Sequence, residues 1–156
     1  MHEIIIPNYK TLIVTNIVLD YNGTIAKDGV LKEEVKPLLK KLTKEYRVHV
    51  ITADTFGSVQ TQLKGYDVSV KILNTDNHTL EKSEFVQSLN TVNTVAIGNG
   101  NNDALMIQNA AIGIAILGDE GCSSKTLLSS DITCKSIKDA LEFFLNTKRL
   151  IATLRS

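Results

Sequence analysis

Hydrophobic runs of strand length alternate along this chain with stretches whose apolar positions recur at helical spacing. The runs are Leu12 to Leu19 ("LIVTNIVL"), Arg47 to Ile51 ("RVHVI"), Val68 to Leu73 ("VSVKIL"), Thr94 to Ile97 ("TVAI") and Ile112 to Ile116 ("IGIAI"). The spacing between them predicts helices over Lys32 to Tyr46, Gly57 to Lys64, Thr79 to Leu89, Asn101 to Ala110 and Ser123 to Ser129, with a last helical region from Ser136. Leu38, Leu39 and Leu42 share one helix face, as do Ala140, Leu141 and Phe144. Pro37 is awkward inside the first helix and marks either its true start or a kink. "VSVKIL" alternates less cleanly than the other runs and reads as an edge strand. Near-continuous apolar strands separated by helices predict an open parallel sheet covered on both faces, a three-layer α/β/α Rossmann-like architecture.

Composition narrows the class without changing that picture. With 156 residues, 43% hydrophobic and 22% charged, the chain has the size and composition of one folded domain over residues 1–156. Its formal net charge is zero, so no global field favours nucleic acid or an anionic membrane. No run is long enough to span a bilayer, and "MHEIIIPNYK" lacks the basic start and long apolar core of a signal peptide. Cys122 and Cys134 fit no metal or redox spacing and read as free thiols of a cytoplasmic protein. The sequons at Asn22 and Asn77 are then irrelevant.

Open parallel sheets bind ligands beyond the carboxyl ends of their strands, so the residues at strand ends carry the chemistry. The first strand ends at Asp20, in "NIVLDYNGTIAKDG". The second ends at Thr52, in "VITAD", and the fourth runs into "IGNGNND", Gly98 to Asp103. Lys82 lies on the helix before the fourth strand. A carboxylate can act as a nucleophile. A hydroxyl and helix-start amides can hold phosphoryl oxygens, and an ammonium can offset their charge. Each feature also has a plain reading. Asn22-Gly23 favours a hairpin turn, Lys82 alone is a surface lysine, and Thr52 alone is a strand residue. Their joint order carries the argument.

"DYNGT" resembles the first motif of the haloacid dehalogenase-like (HAD) hydrolases, Asp-x-Asp-Gly-Thr. "ITAD", Lys82 and "GNGNND" resemble the second, third and fourth. The phosphorylation domain of the P-type cation ATPases is more similar still, and "NDALMIQNAAIGIAI" follows its fourth motif. The resemblance covers about Leu12 to Cys134 and points to the soluble P-type-ATPase-like phosphatases. It implies a magnesium-dependent phosphohydrolase or phosphotransferase working through an aspartyl phosphate. Asp20 would be nucleophile and metal ligand, and Asn22 would offer its backbone carbonyl to the metal. Thr52, with Ala53 beside it, and Lys82 would bind the phosphoryl group. Asn99 and Asp103 would complete the metal shell, with Asp54 a weaker candidate.

Two departures from the family pattern matter. The residue at position 22 is usually an acid that protonates the leaving oxygen and then activates water. Asn22 cannot relay a proton, and such help is worth about 10²–10⁴ in rate. Turnover should be slow, with dephosphorylation lagging. Asn99 stands where a second acid usually binds metal, so magnesium should bind weakly. The stretches from Thr24 to Thr52 and from Thr52 to Lys82 are too short to hold a cap domain. "AKDGVL", Ala26 to Leu31, would form the family's β-hairpin flap. An open site suits a phosphorylated macromolecule or a small acyl phosphate, or is closed by a second copy of the chain.

Of the remaining residues, His49 reads as a core histidine and Tyr21 as packing against the flap. The basic, amphipathic C-terminus ("NTKRLIATLRS") either packs on the sheet edge or contacts a partner. Two other functions are compatible with the strand-end residues. One is a catalytically weak binding or regulatory module, suggested by Asn22 and Asn99. The other is a phospho-receiver domain, which is disfavoured because the acceptor lies on the first strand.

Overall fold

A computed structural model describes residues 2–54 and 57–156. The chain opens with an antiparallel hairpin, β1 (His2–Ile6) and β2 (Lys10–Val14), in which Ile6 faces Lys10 and His2 faces Val14. The six-stranded parallel sheet follows. Its strands are β3 (Asn16–Asp20), β6 (Arg47–Thr52), β7 (Val68–Ile72), β8 (Thr94–Gly98), β9 (Ile112–Ile116) and β10 (Ile132–Cys134). Their spatial order is β10-β9-β8-β3-β6-β7. The first strand therefore sits mid-sheet, and the connections leave in opposite directions on either side of the β3–β8 pair. That switch point opens a crevice at the carboxyl ends of β3 and β8.

The predicted first strand is in fact two. Its apolar run is nearly unbroken in sequence, but the chain turns a corner at Thr15. There the Thr15 amide bonds the Asn93 carbonyl at 2.9 Å and its carbonyl accepts from the Arg47 amide at 2.9 Å. Leu12 and Val14 then close the hairpin over the core, while Asn16–Asp20 enters the sheet with every residue buried. The three-residue β10 was too short to register as a run of its own. β7 lies at the sheet edge, as its weaker pattern predicted.

Strand parity sorts the buried side chains into two layers. Ile17, Leu19, Val48, Val50, Val95, Ile97, Ile112 and Ile114 face one way. On that side they pack under α1 (Val35–Leu42), α6 (Ile137–Glu142), α7 (Thr147–Leu154) and the N-terminal hairpin. Val18, Ile51 and Ala96 face the other way, under α3 (His78–Ser88) and α4 (Ala104–Asn109). Since successive strand residues alternate, Asp20 follows Val18 onto the α3/α4 side. That parity is what aims the Asp20 carboxylate toward Lys82. Gly113, on the same side of β9, lets α4 sit directly on the strand: a Cβ there would come within 2.2 Å of the Ile107 carbonyl oxygen.

Helices are shorter than the periodicity suggested. Pro37 is the third residue of α1, within the first turn, where its missing N–H costs nothing, so it marks a start and no kink. Two brief helices, α2 (Ser58–Gln62) and α5 (Ser124–Ser129), complete the set. The flap is a small hairpin of β4 (Ala26–Lys27) and β5 (Val30–Leu31). Asp28 and Gly29 form its two-residue turn with φ of 51° and 81°, the positive values such tight turns require. Among the described residues, the segment between β3 and α1 holds this hairpin and no larger insertion. Tyr21 is fully buried and donates its hydroxyl to the Gly29 carbonyl at 2.9 Å, pinning the flap. The C-terminal α7 packs on β1, and the Ser156 amide bonds the Pro7 carbonyl.

His49 is a core histidine. The Asn16 amide nitrogen is spent on the Leu89 carbonyl, so its oxygen faces His49 Nε2 at 3.1 Å and accepts a hydrogen bond from the ring N–H. The Phe85 ring packs edge-on against it at 5.6 Å. Burial, aided by Arg47, lowers its pKa from the usual histidine value. A folded-state pKa below the unfolded one contributes stability that is full above about pH 6.5 and is lost as pH falls through the folded value. On acidification below about pH 6.5 the His49 contribution should therefore be lost, against the opposite contribution of Asp20, whose pKa is raised to about 7. The stability difference between the parent and His49→Gln should change across that pH range, and a difference that is constant with pH would refute the assignment.

Candidate active site

Three loops and one helix converge on the crevice. Asp20 ends β3, and Thr24 lies in the turn that follows. Thr52 ends β6, and Gly98 to Asp103 link β8 to α4. Lys82 reaches in from the second turn of α3. Asp20, Thr52, Lys82, Gly100 and Asp103 line an open cleft of ≈ 270 Å³ that also takes in Asn22, Ala53, His78, Asn99 and Asn102.

Lys82 is the hub. Its side chain is 3% exposed, and its ammonium donates to Asp20 Oδ1 at 2.8 Å, Asp103 Oδ1 at 2.7 Å and Asn102 Oδ1 at 2.9 Å. Three hydrogens meet three oxygens, so the ammonium is fully used. The second oxygen of Asp20 accepts from the Thr24 hydroxyl at 3.1 Å, and the same hydroxyl lies 3.4 Å from Asn99 Oδ1. Asp103 is wholly buried, and its Oδ2 accepts from the amides of Asn99 and Gly100, both at 3.0 Å. It thereby holds the loop in shape while its other oxygen holds the lysine. Gly98 makes room for this, because a Cβ there would meet the Asp103 carboxyl at 2.5 Å. Gly98→Ala should displace Asp103, and with it Lys82. The expected loss is about 1–3 kcal/mol, as for overpacked cores, read in a denaturant titration. Gly100→Ala, with only ordinary contacts, is the control.

The electrostatics are unbalanced by one charge, two carboxylates against one ammonium. Burial, and then the neighbouring Asp103 carboxylate, push Asp20 up to about 7, against the opposing pull of Lys82 and Thr24. Burial works against the charged lysine, but Asp20 and Asp103 outweigh it and raise its pKa. The lysine stays protonated, and Asp20 is the group poised to titrate.

No protein-family model matches the chain. Two proteins of Methanocaldococcus jannaschii are similar to parts of it. MJ0073, uncharacterized, is 61% identical over 61 residues, 39% of this chain and 66% of that protein. MJ0072, also uncharacterized, is 49% identical over 39 residues, 25% of this chain and 89% of that protein. The chain belongs to the same family as MJ0072. Among solved structures, the 3-deoxy-D-manno-octulosonate 8-phosphate phosphatase of Moraxella catarrhalis, crystallised with magnesium, phosphate and its sugar, superposes with a TM-score of 0.72. Identity is 17%, and 91% of this chain and 94% of that one are covered. The cobalt-bound enzyme of the same name from Haemophilus influenzae gives 0.72 at 8% identity, covering 92% and 94%. A haloacid dehalogenase-like protein of Streptococcus pneumoniae gives 0.62 at 12% identity, covering 84% and 98%. The fold is that of the HAD hydrolases.

On this HAD fold the site residues expected from the sequence, all but the weaker candidate Asp54, line the same cleft: Asp20, Asn22, Thr52, Ala53, Lys82, Asn99 and Asp103. Asp54 points elsewhere in its bonding, accepting from the Ser58 hydroxyl at 3.2 Å and the Val59 amide at 2.9 Å at the start of α2. Three participants were not singled out in the sequence. Thr24 was visible as the last letter of the first motif. Asn102 sits beside Asp103 in a loop where any of three asparagines could have pointed inward. His78 carried one usable signal, its position four residues before Lys82.

The donors present suit a hard cation bound loosely. Among the described residues no three His, Cys, Asp or Glu side chains gather as a ready metal cluster. The oxygen donors among its lining side chains include the Asp20 carboxylate and the Asn99 amide oxygen, and Asn22, whose carbonyl the motif assigns to the metal, lines the same cleft. Asp103 would have to give up an existing bond to join them directly. Magnesium keeps several waters and takes one or two carboxylates with substrate phosphate, which fits this set.

Proposed function

We propose that the protein is a magnesium-dependent phosphohydrolase or phosphotransferase whose nucleophile is Asp20. The observation that carries this reading is the Lys82 tripod, which holds Asp20 at a cleft floor beside Asp103, Thr24 and Thr52. A buried lysine between two carboxylates is costly to maintain for structure alone. Beside a transferring phosphoryl group it has a purpose, since it keeps the nucleophile aimed and offsets oxygen charge.

In the first half-reaction an Asp20 oxygen attacks phosphorus and the bond to the leaving oxygen breaks. In the second, water attacks the same phosphorus and releases the Asp20 carboxylate. Lys82 orients Asp20 throughout, and Thr52 would hold a phosphoryl oxygen. Magnesium, held by Asp20, Asn99 and the Asn22 carbonyl, would favour ionised Asp20 and neutralise phosphoryl charge. The motif likeness to the P-type ATPases supports a phosphoenzyme longer-lived than one with an acid at position 22, because Asn22 itself cannot activate water.

Asn22→Asp tests this directly. With magnesium and a panel of phosphate esters, the variant should turn over faster than the parent by on the order of 10². Absence of turnover in both proteins would favour the alternative, a HAD-fold binding module without useful catalysis.

A further inference from the structure

Asn22 leaves the leaving-group oxygen without an acid at the usual place, yet the cleft holds another ionisable side chain. Asp20, Lys82 and Asp103 are locked in one hydrogen-bonded network. His78 also lines the cleft, half-buried, and none of those bonds engages it. It stands four residues before Lys82 on α3, so the two share one helix face, with His78 the more exposed of the two. Lys82 touches the nucleophile from that face. His78 therefore overlooks the outer part of the cleft, where the group departing from phosphorus must leave.

The start of α3 is fixed with unusual care. Asn77 caps the helix, its side chain accepting from the Leu80 amide at 3.1 Å. Glu81 turns back to bind the amides of Asn74 at 2.9 Å and Thr75 at 2.9 Å, and it takes the Thr75 hydroxyl at 2.9 Å. The loop from β7 into α3 is thus tied down on the turn that carries His78. Preorganisation of this kind is what a proton-transfer group needs, and an imidazole can donate and accept a proton near neutral pH.

We propose that His78 supplies the proton relay that Asn22 cannot. This rests on the phosphoaspartyl reading of the site. As Asp20 attacks and the phosphorus–oxygen bond to the leaving group breaks, the imidazolium gives its proton to the departing oxygen and becomes neutral. When water then attacks the aspartyl phosphate, neutral His78 takes the water's proton, and the Asp20 carboxylate departs. One full cycle returns His78 to its starting state. The relay sits at the mouth of an uncapped cleft, which suits esters whose alcohol is small or projects into solvent.

Leaving-group dependence tests the assignment in the intact protein. Steady-state rates are measured with magnesium for an alkyl phosphate, which needs a proton on its leaving oxygen, and for an aryl phosphate with an acidic phenol, which does not. His78→Gln should lower kcat/KM for the alkyl ester by about 10²-fold or more and spare the aryl ester within a fewfold. Added imidazole should restore the alkyl-ester rate of His78→Ala but leave His78→Gln unchanged. In an Asn22→Asp background, His78→Gln should cost little, because the carboxylate at position 22 is then the better-placed relay and takes over from the imidazole. Equal losses on both esters without imidazole rescue would mean that His78 serves only in binding or structure, and would overturn the inference while leaving the nucleophile intact. Failure of the parent protein to turn over either ester or form a phosphoenzyme would overturn both.

Discussion

Asp20→Asn should abolish phosphoenzyme formation and turnover while leaving the fold intact. The amide is nearly the same size and keeps an oxygen for the Lys82 ammonium or the Thr24 hydroxyl, so packing around β3 is preserved. It cannot attack phosphorus, and the expected loss is the whole nucleophilic contribution, to background within detection. Stability should move the opposite way. Asp20 has its folded-state pKa raised to about 7, above the ~3.9 of an unfolded aspartate. A raised carboxylate favours folding fully at low pH, and that contribution is lost as pH rises through the folded value. Without metal, parent and variant should thus unfold at similar temperatures near pH 4. The variant should become the more stable as pH rises toward 7 and keep that lead above it. Thermal melts in a chelator across this range check the sign. A variant less stable than the parent at pH 8 would contradict the electrostatic account of the cleft.

Lys82→Met should be the most damaging single change to stability. Methionine fills much of the volume but removes the cation shared by Asp20 and Asp103, each held within 2.8 Å of the ammonium. Two carboxylates then face each other in a buried site, and breaking such a pair from one side costs about 3–5 kcal/mol. The denaturant midpoint should fall accordingly and activity should vanish. Asp20→Asn placed on Lys82→Met should recover part of the stability, because it deletes one of the stranded charges. Recovery distinguishes an electrostatic fault from a packing fault, since the second substitution adds no apolar contact.

The legible part of this protein was the part where physics writes a period or a fixed order. Val18 and Leu19 facing opposite buried layers are implied by an unbroken apolar run, and the same alternation puts Asp20 on the α3 side. Pro37 was compatible with a start or a kink, and only the observed bounds of α1 place it in the first turn. The strand-end residues Asp20 and Thr52 and the loop after Gly98 could be read because the chemistry of an open sheet collects at that rim. Other features depended on contacts between distant segments. The split at Thr15 is made by Asn93 and Arg47, and neither is marked in the local pattern. Which of Asn99, Asn101 and Asn102 meets Lys82 depends on the turn that Asp103 shapes with its Oδ2. His78 looks like an ordinary polar residue before a helix until α3 is docked and its face is known.

Every step assigned to the cleft requires Asp20 to be a nucleophile, and intact-mass measurement after incubation with acetyl phosphate and magnesium tests that most directly. The protein should gain the mass of one phosphoryl group, on a peptide containing Asp20. The adduct should be lost on treatment with hydroxylamine and should be absent from Asp20→Asn. An unchanged mass in the parent, or an adduct that persists in Asp20→Asn, would contradict it.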